Sequence, residues 1–397
     1  MHARLIEHEH QRRASVVQRD EIVVRQKTLF RVAQCAALTL AALAFLRRDI
    51  QAPLLRHAVA YTYGTDGERR GRRWNATRRG VFEAASGGEL ARVTAAMWVL
   101  RRTPDAAGRQ RFGGAFRSYE TLVDSHADDL KRLHCAVGLH AASALFVVYH
   151  RLLVREFEAA LRAVDETLNV VPAWHPLERP GVSLFDTTLR GARPLLGSAP
   201  GDARRGYVIA DGPFAMWPVS RRDGVTAFDM PNYVVRYSSY CGQAVDDSEL
   251  ARRWSTCASD AVAEAPLPDG FLACAVRLHA EWHRAVGGAV SCDANTTHLA
   301  VPGDFENGRT SVNDPVFFFV HAAFDVLFDA YRERHDALRP AGAPDAVDKL
   351  WAALRLEADP CARQDAWRRH RYAHFLGNAT AFRDLFLDAH SVHTTGG

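Results

Sequence analysis

Apolar residues recur along this chain at helical spacing, and on four of the faces so marked a histidine interrupts the apolar stripe. Leu90, Val93, Met97 and Leu100 mark one helix. Tyr119, Leu122, Val123, His126 and Leu130 mark a second, and Phe146, His150, Leu153, Phe157 and Leu161 a third. Further on, Leu272, Ala275, Val276 and Val286 share a face with His279 and His283, while Phe317, His321, Phe324, Phe328 and Tyr331 form another stripe. Helical patterning returns over 347–356 and 366–389. Residues three and four apart lie above one another on an α-helix, so the pattern predicts a mainly α fold.

One run has no polar stripe. Residues 32–46 are strongly apolar, with Arg25, Lys27 and Arg31 before them and Arg47 and Arg48 after. A membrane span takes about 20 residues. The run is therefore either a short signal-anchor extended by Arg31, whose long stem lets its charge reach the interface, or a signal peptide behind a charged leader. Positive charge on both sides leaves the orientation open. The expected layout is a polar tail at 1–31, the hydrophobic segment at 32–46, a linker at 47–70, a globular domain at 71–340 and a C-terminal extension at 341–397.

Composition narrows the partners. The 397 residues carry a formal net charge of +4, mixed along the chain, so nucleic acid is not an expected partner. Asn75, Asn295 and Asn378 each open an Asn-x-Thr glycosylation sequon, all beyond the apolar run. Cys35 lies inside that run, and Cys135, Cys241, Cys257, Cys274, Cys292 and Cys361 lie beyond it. Six cysteines suit an oxidising compartment, although sequence does not choose among about 15 pairings. These features predict a secretory-pathway glycoprotein. Its domain would face the lumen or the outside, membrane-anchored with residues 1–31 in the cytosol, or secreted after cleavage.

The histidines carry the chemistry. His279 and His283 stand a turn apart on one face, and His321 sits on its own apolar stripe. Three imidazoles aimed at a dry interior, with no thiolate or carboxylate among them, make a nitrogen site for copper, zinc or iron. A lone histidine on an apolar face is more often a core residue, so spacing alone does not decide. Two zinc chemistries are excluded. A zinc protease needs Glu directly after the first His, where Ala280 stands. A zinc deaminase needs Pro-Cys-x-x-Cys, and Pro360-Cys361 has no second Cys three places on.

The ordered set His279-x-x-x-His283, Val286-Gly287-Gly288, Asn313-Asp314-Pro315-x-Phe317 and His321-x-x-x-Asp325 resembles the second copper half-site of tyrosinases, catechol oxidases and molluscan-type haemocyanins. The resemblance implies that His279, His283 and His321 hold one copper ion, with Asp314 and Pro315 shaping the start of the last helix. Upstream, Tyr119-Glu-Thr-Leu-Val-Asp-Ser-His126 is similar to the family's helix bearing the first ligand of the other copper. Phe146-Val-Val-Tyr149-His150-Arg151 is similar to its Phe-x-x-Trp-His-Arg, which implies His126 and His150 as ligands. The family's remaining ligand falls at Ala141; the neighbouring His140 takes that role, with His134 as the alternative. Val208-Ile-Ala-Asp211-Gly212-Pro213-Phe214 resembles the family's Val-x-Asp-Gly-Pro-Phe loop. The chain departs from the pattern at Pro172-Ala-Trp174-His175-Pro176, at Val320 where a His is common, and at Phe328 where a Trp is usual.

The resemblance implies a four-helix bundle around a dinuclear copper site, with long irregular loops and two copper ions per chain. It implies an oxidoreductase that takes up O2 as a bridging peroxide and converts a small diphenol to an o-quinone, monooxygenase chemistry being the extension to monophenols. The family places an Asn after the first ligand of the second half-site. Ala280 stands there, so diphenol oxidation is expected to exceed monophenol hydroxylation. Two other readings share the same residues: reversible O2 binding as in haemocyanins, and a non-catalytic scaffold with an incomplete first half-site. Asp325 is expected either to accept an imidazole N–H or to pair with Arg151.

Overall fold

The computed structural model describes residues 78–132, 144–168, 170–174, 176–178, 185, 194–222, 230–237, 239–240, 243–244, 247–290, 301–355 and 378–387. The apolar run at 32–46, Asn75, His134, His140, His175 and Asn295 lie outside the described residues. The chain divides into units 1–72 and 73–397, and every described residue belongs to the second.

Helices follow one another as α1 (Val81–Ser86), α2 (Glu89–Arg102), α3 (Asp105–Phe112), α4 (Tyr119–Arg132) and α5 (Ala144–Val164). Then come α6 (Asp247–Cys257), α7 (Asp260–Glu264), α8 (Ala273–Gly287), α9 (Val316–Leu338), α10 (Ala346–Arg355) and α11 (Ala379–Leu387). The architecture is mainly α, as the periodicity predicts. Strands β1 (Ser239–Tyr240), β2 (Gln243–Ala244), β3 (Ala289–Val290) and β4 (Val301–Pro302) form a small sheet in the order β2-β1-β3-β4. Only the β1–β3 pair is parallel among these. No helix among the described residues is long and apolar enough to cross a membrane.

Local chemistry sets the helix limits. Thr103 precedes Pro104, whose ring disfavours helical backbone at the residue before it, and α2 ends there with Thr103 extended. At the start of α9, Pro315 fixes φ at −56° and the Asp314 side chain accepts the Val316 N–H at 3.0 Å. Asn378 is exposed and its side-chain oxygen accepts the Ala381 N–H at 3.0 Å, capping α11.

The sequence stripe on α9 understates its burial. Every residue from Val316 to Asp329 is buried, so α9 is an axis with neighbours on all sides rather than an amphipathic surface helix. The α5, α6 and α7 helices pack against it. Helix α8 continues from a π turn at Pro268–Leu272, and a Cys257–Cys274 disulfide ties its first turn to the end of α6. It ends at Gly287 for a steric reason. A Cβ on Gly287 would lie 2.0 Å from the backbone N of Glu306, and Gly288 turns away at φ +60°. The Val-Gly-Gly motif thus lets residues 305–306 press against the helix.

Candidate metal centre

Helices α4, α5, α8 and α9 bring His126, His150, His279, His283 and His321 into one apolar interior, each between 1% and 3% exposed. The periodicity that put apolar residues on one face of each helix put these imidazoles there too. One ring nitrogen each from His150, His279 and His321 lies within 4.8 Å of the others. His283 joins through His279, their Nε2 atoms 2.9 Å apart. His126 stands beside this group, its ring centre 6.1 Å from that of His150 and 5.1 Å from that of Phe317. His140 and His134 belong to the undescribed segment 133–143, so the third position of the first half-site is not placed.

Three of the rings are oriented in the same way. His150 Nδ1 donates to the Phe146 carbonyl at 2.9 Å, His321 Nδ1 to the Phe317 carbonyl at 2.7 Å, and His283 Nδ1 to the Phe305 carbonyl. In each case the ring of the same phenylalanine also packs on the imidazole, at 4.6, 3.8 and 4.5 Å between centres. A carbonyl can only accept, so Nδ1 carries the proton and Nε2 presents a lone pair. Gly287 makes the Phe305 contact possible by admitting the backbone of Glu306.

The lone pairs then face one another. His279 Nε2 lies 2.9 Å from His283 Nε2 and 3.0 Å from His321 Nε2. His279 has at most one proton to offer there, so at least one of these contacts sets lone pair against lone pair. A cation between them removes the conflict. Imidazole nitrogens about 2.0–2.1 Å from one ion at tetrahedral angles sit roughly 3.3 Å apart, close to the spacings found. The donor set is all nitrogen, which suits copper or zinc and not magnesium or calcium.

Burial keeps these rings uncharged and ready to bind. Desolvation lowers the His150 pKa to about 3 and the His283 pKa to about 4, against opposing bonds from the Phe146 and Phe305 carbonyls. His279 and His321 fall well below the ordinary value, first through desolvation and then through the other imidazoles.

Asp325 settles on arginine. Its carboxylate lies 2.9 Å from Arg78 and 3.4 Å from Arg151, while His321 uses the Phe317 carbonyl. The Val208–Phe214 loop reaches α9 away from the imidazoles. Asp211 accepts the Ser198 N–H at 2.7 Å, and Phe214 packs near Phe319 on α9. Sequence reasoning missed Phe305, Arg78 and Arg236, which act from remote segments. Only the glycine pair at 287–288 hinted at one of them.

Residues 117–334 match the family profile described as the common central domain of tyrosinase. The chain is 31% identical over 220 residues to a tyrosinase of Streptomyces lincolnensis, spanning 52% of this chain and 70% of that one. It is 29% identical over 270 residues to a tyrosinase of Streptomyces antibioticus, spanning 66% and 85%. It is also similar, at 24% over 268 residues, to the N-acetyl-6-hydroxytryptophan oxidase of Emericella nidulans, spanning 60% and 69%.

Proposed function

Because the chain belongs to the tyrosinase family of copper-binding oxidases, we propose that it holds two copper ions and oxidises small diphenols to o-quinones at the expense of O2. His279, His283 and His321 would hold one ion; His126 and His150 the other, with His140 completing it. The observation that carries this reading is the meeting of Nε2 lone pairs from separate helices in a dry interior, with no carboxylate among the clustered donors. When bound, the copper pair supplies the exchange of electrons between diphenol and O2, two diphenols and one O2 giving two quinones and two waters.

The chain's own residues position and shield. Phe146, Phe305 and Phe317 lock three rings in the tautomer that leaves Nε2 free. Those phenylalanines, with Phe324, also keep water from the centre. No side chain at 280 can orient a water or take a proton, so diphenol oxidation would outrun monophenol hydroxylation. The Cys257–Cys274 bridge supports folding in an oxidising compartment. With it goes the proposed placement on the luminal or outer side, residues 32–46 acting as anchor or signal peptide.

The test is copper loading of the full chain followed by metal analysis and catechol oxidation with O2 uptake. Two coppers per chain and quinone formation are expected. Two coppers with O2 uptake but no catechol turnover would indicate an oxygen carrier, and zero or one copper a non-catalytic scaffold.

A further inference from the structure

The first half-site contains a cross-link between helices that involves neither a ligand nor the backbone. At the position where the family pattern has Trp, this chain has Tyr149, and its hydroxyl donates to Asp129 Oδ2 at 2.9 Å, both side chains being buried. Tyr149 directly precedes His150 on α5, and its ring meets the His150 ring edge-on at 5.2 Å. The same ring lies 6.2 Å from that of His126. Asp129 is three residues beyond His126 on α4, on the same side of that helix.

The bond therefore closes a circuit from His126 along α4 to Asp129, across to Tyr149, and on to His150. The phenylalanine carbonyls that hold His150 and His321 come from one turn earlier on the same helix. Such a bond fixes how a ring is turned, but not how far its helix stands from the next. The Tyr149–Asp129 bond does fix that distance for α4 and α5. We propose that Tyr149 and Asp129 are positioning residues that set the separation of His126 and His150 for the first copper ion. This rests on the dicopper reading above. A ligand pair left a few tenths of an ångström loose still folds but binds its ion more weakly, and lost supporting bonds around metal ligands typically cost about 10–100-fold in affinity.

The test compares copper-loaded wild type, Tyr149→Phe and Asp129→Asn in the full chain. Tyr149→Phe keeps the ring packing and removes the hydroxyl; Asp129→Asn keeps an acceptor oxygen. Copper per chain is titrated against a graded chelator. The near-ultraviolet absorption gained on adding hydrogen peroxide is followed in parallel, with circular dichroism reporting the fold. For Tyr149→Phe we expect unchanged helicity and one copper weakened by roughly 10–100-fold, the other untouched. The absorption should return at saturating copper, and Asp129→Asn should keep most of the affinity. Two coppers bound as tightly as in wild type, or both weakened equally, would overturn the assignment. A wild-type chain that takes up fewer than two coppers sinks the dicopper reading itself, and this assignment with it.

Discussion

Arg236 and Asp314 face each other through two hydrogen bonds of 2.6 Å, neither side chain reaching solvent. Asp314 also takes the first free N–H of α9, and Arg236 donates to the Leu196 carbonyl at 2.9 Å. The pair thus fastens the loops around 196 and 236 to the start of the helix that carries His321. Removing one partner leaves an uncompensated buried charge, which costs about 3–5 kcal/mol. Arg236→Met should lower stability by that amount in denaturant unfolding. Arg236→Met combined with Asp314→Leu should cost less than the sum of the two single changes; strictly additive losses would mean that the two groups do not depend on each other.

The copper-free protein should fail in acid. His150 and His283 have folded pKa values of about 3 and about 4, below the ordinary 6.5 that an unfolded chain shows. Between those limits the unfolded state binds more protons, so the contribution of these rings is full above about pH 6.5 and falls as the pH drops toward 4, opposed in part by Glu306 and Asp329, whose burial raises their pKa values to about 8 and about 6. Each ring contributes about 1.4 kcal/mol per pH unit in that window, and total stability is only about 5–15 kcal/mol. Thermal melts of metal-free protein from pH 8 to pH 4 should show a steep decline. Copper, which binds neutral imidazole, should raise the whole curve and move its acid limb downward. A flat profile for the metal-free protein would show that the rings are hydrated and not sealed in the core.

The Cys257–Cys274 bridge closes a 17-residue separation and anchors the helix bearing His279 and His283. A loop of that length is worth about 3 kcal/mol through restriction of the unfolded chain. Replacing both cysteines with serine should lower the melting temperature and abolish its sensitivity to reductant. Wild type in reducing buffer should converge on the variant. If reductant leaves the wild-type melt unchanged while the variant melts lower, the loss comes from packing and not from the cross-link.

What could be read from the sequence follows from distance along the chain. His279 and His283 are four apart, so helical geometry puts them on one face, and His150 sits within a six-residue motif legible through its resemblance to the family's pattern. The same holds for the mainly α architecture. The carbonyl that orients His283 comes from Phe305, 22 residues away, and the partner of Asp314 is 78 residues away. No periodicity encodes such meetings. The encirclement of α9 was hidden for a related reason. Its apolar stripe was legible, but burial of the remaining positions depends on which helices surround it. The pairing of Cys257 with Cys274 likewise depends on how α6 and α8 pack, since six cysteines admit too many alternatives.

Ala280 offers the sharpest separation of the two phenol chemistries. It follows His279 directly on α8 and is partly exposed, so a modest polar side chain fits there without opening the core. Oxidising a diphenol and hydroxylating a monophenol would use the same ligands, and both remove protons from the substrate, but on the reading proposed above the second calls for an additional positioned proton acceptor. A methyl group cannot take part in that transfer, either directly or through a bound water. Ala280→Asn restores an amide able to hold a water against the incoming phenol. A positioned proton acceptor is worth about 100-fold or more at best, and a water held by an amide only part of that. The ratio of monophenol to diphenol turnover should therefore rise by roughly 10-fold with copper content unchanged. If the unmodified protein already turns over monophenol as fast as diphenol, the acceptor lies elsewhere in the site and Ala280 does not limit the reaction.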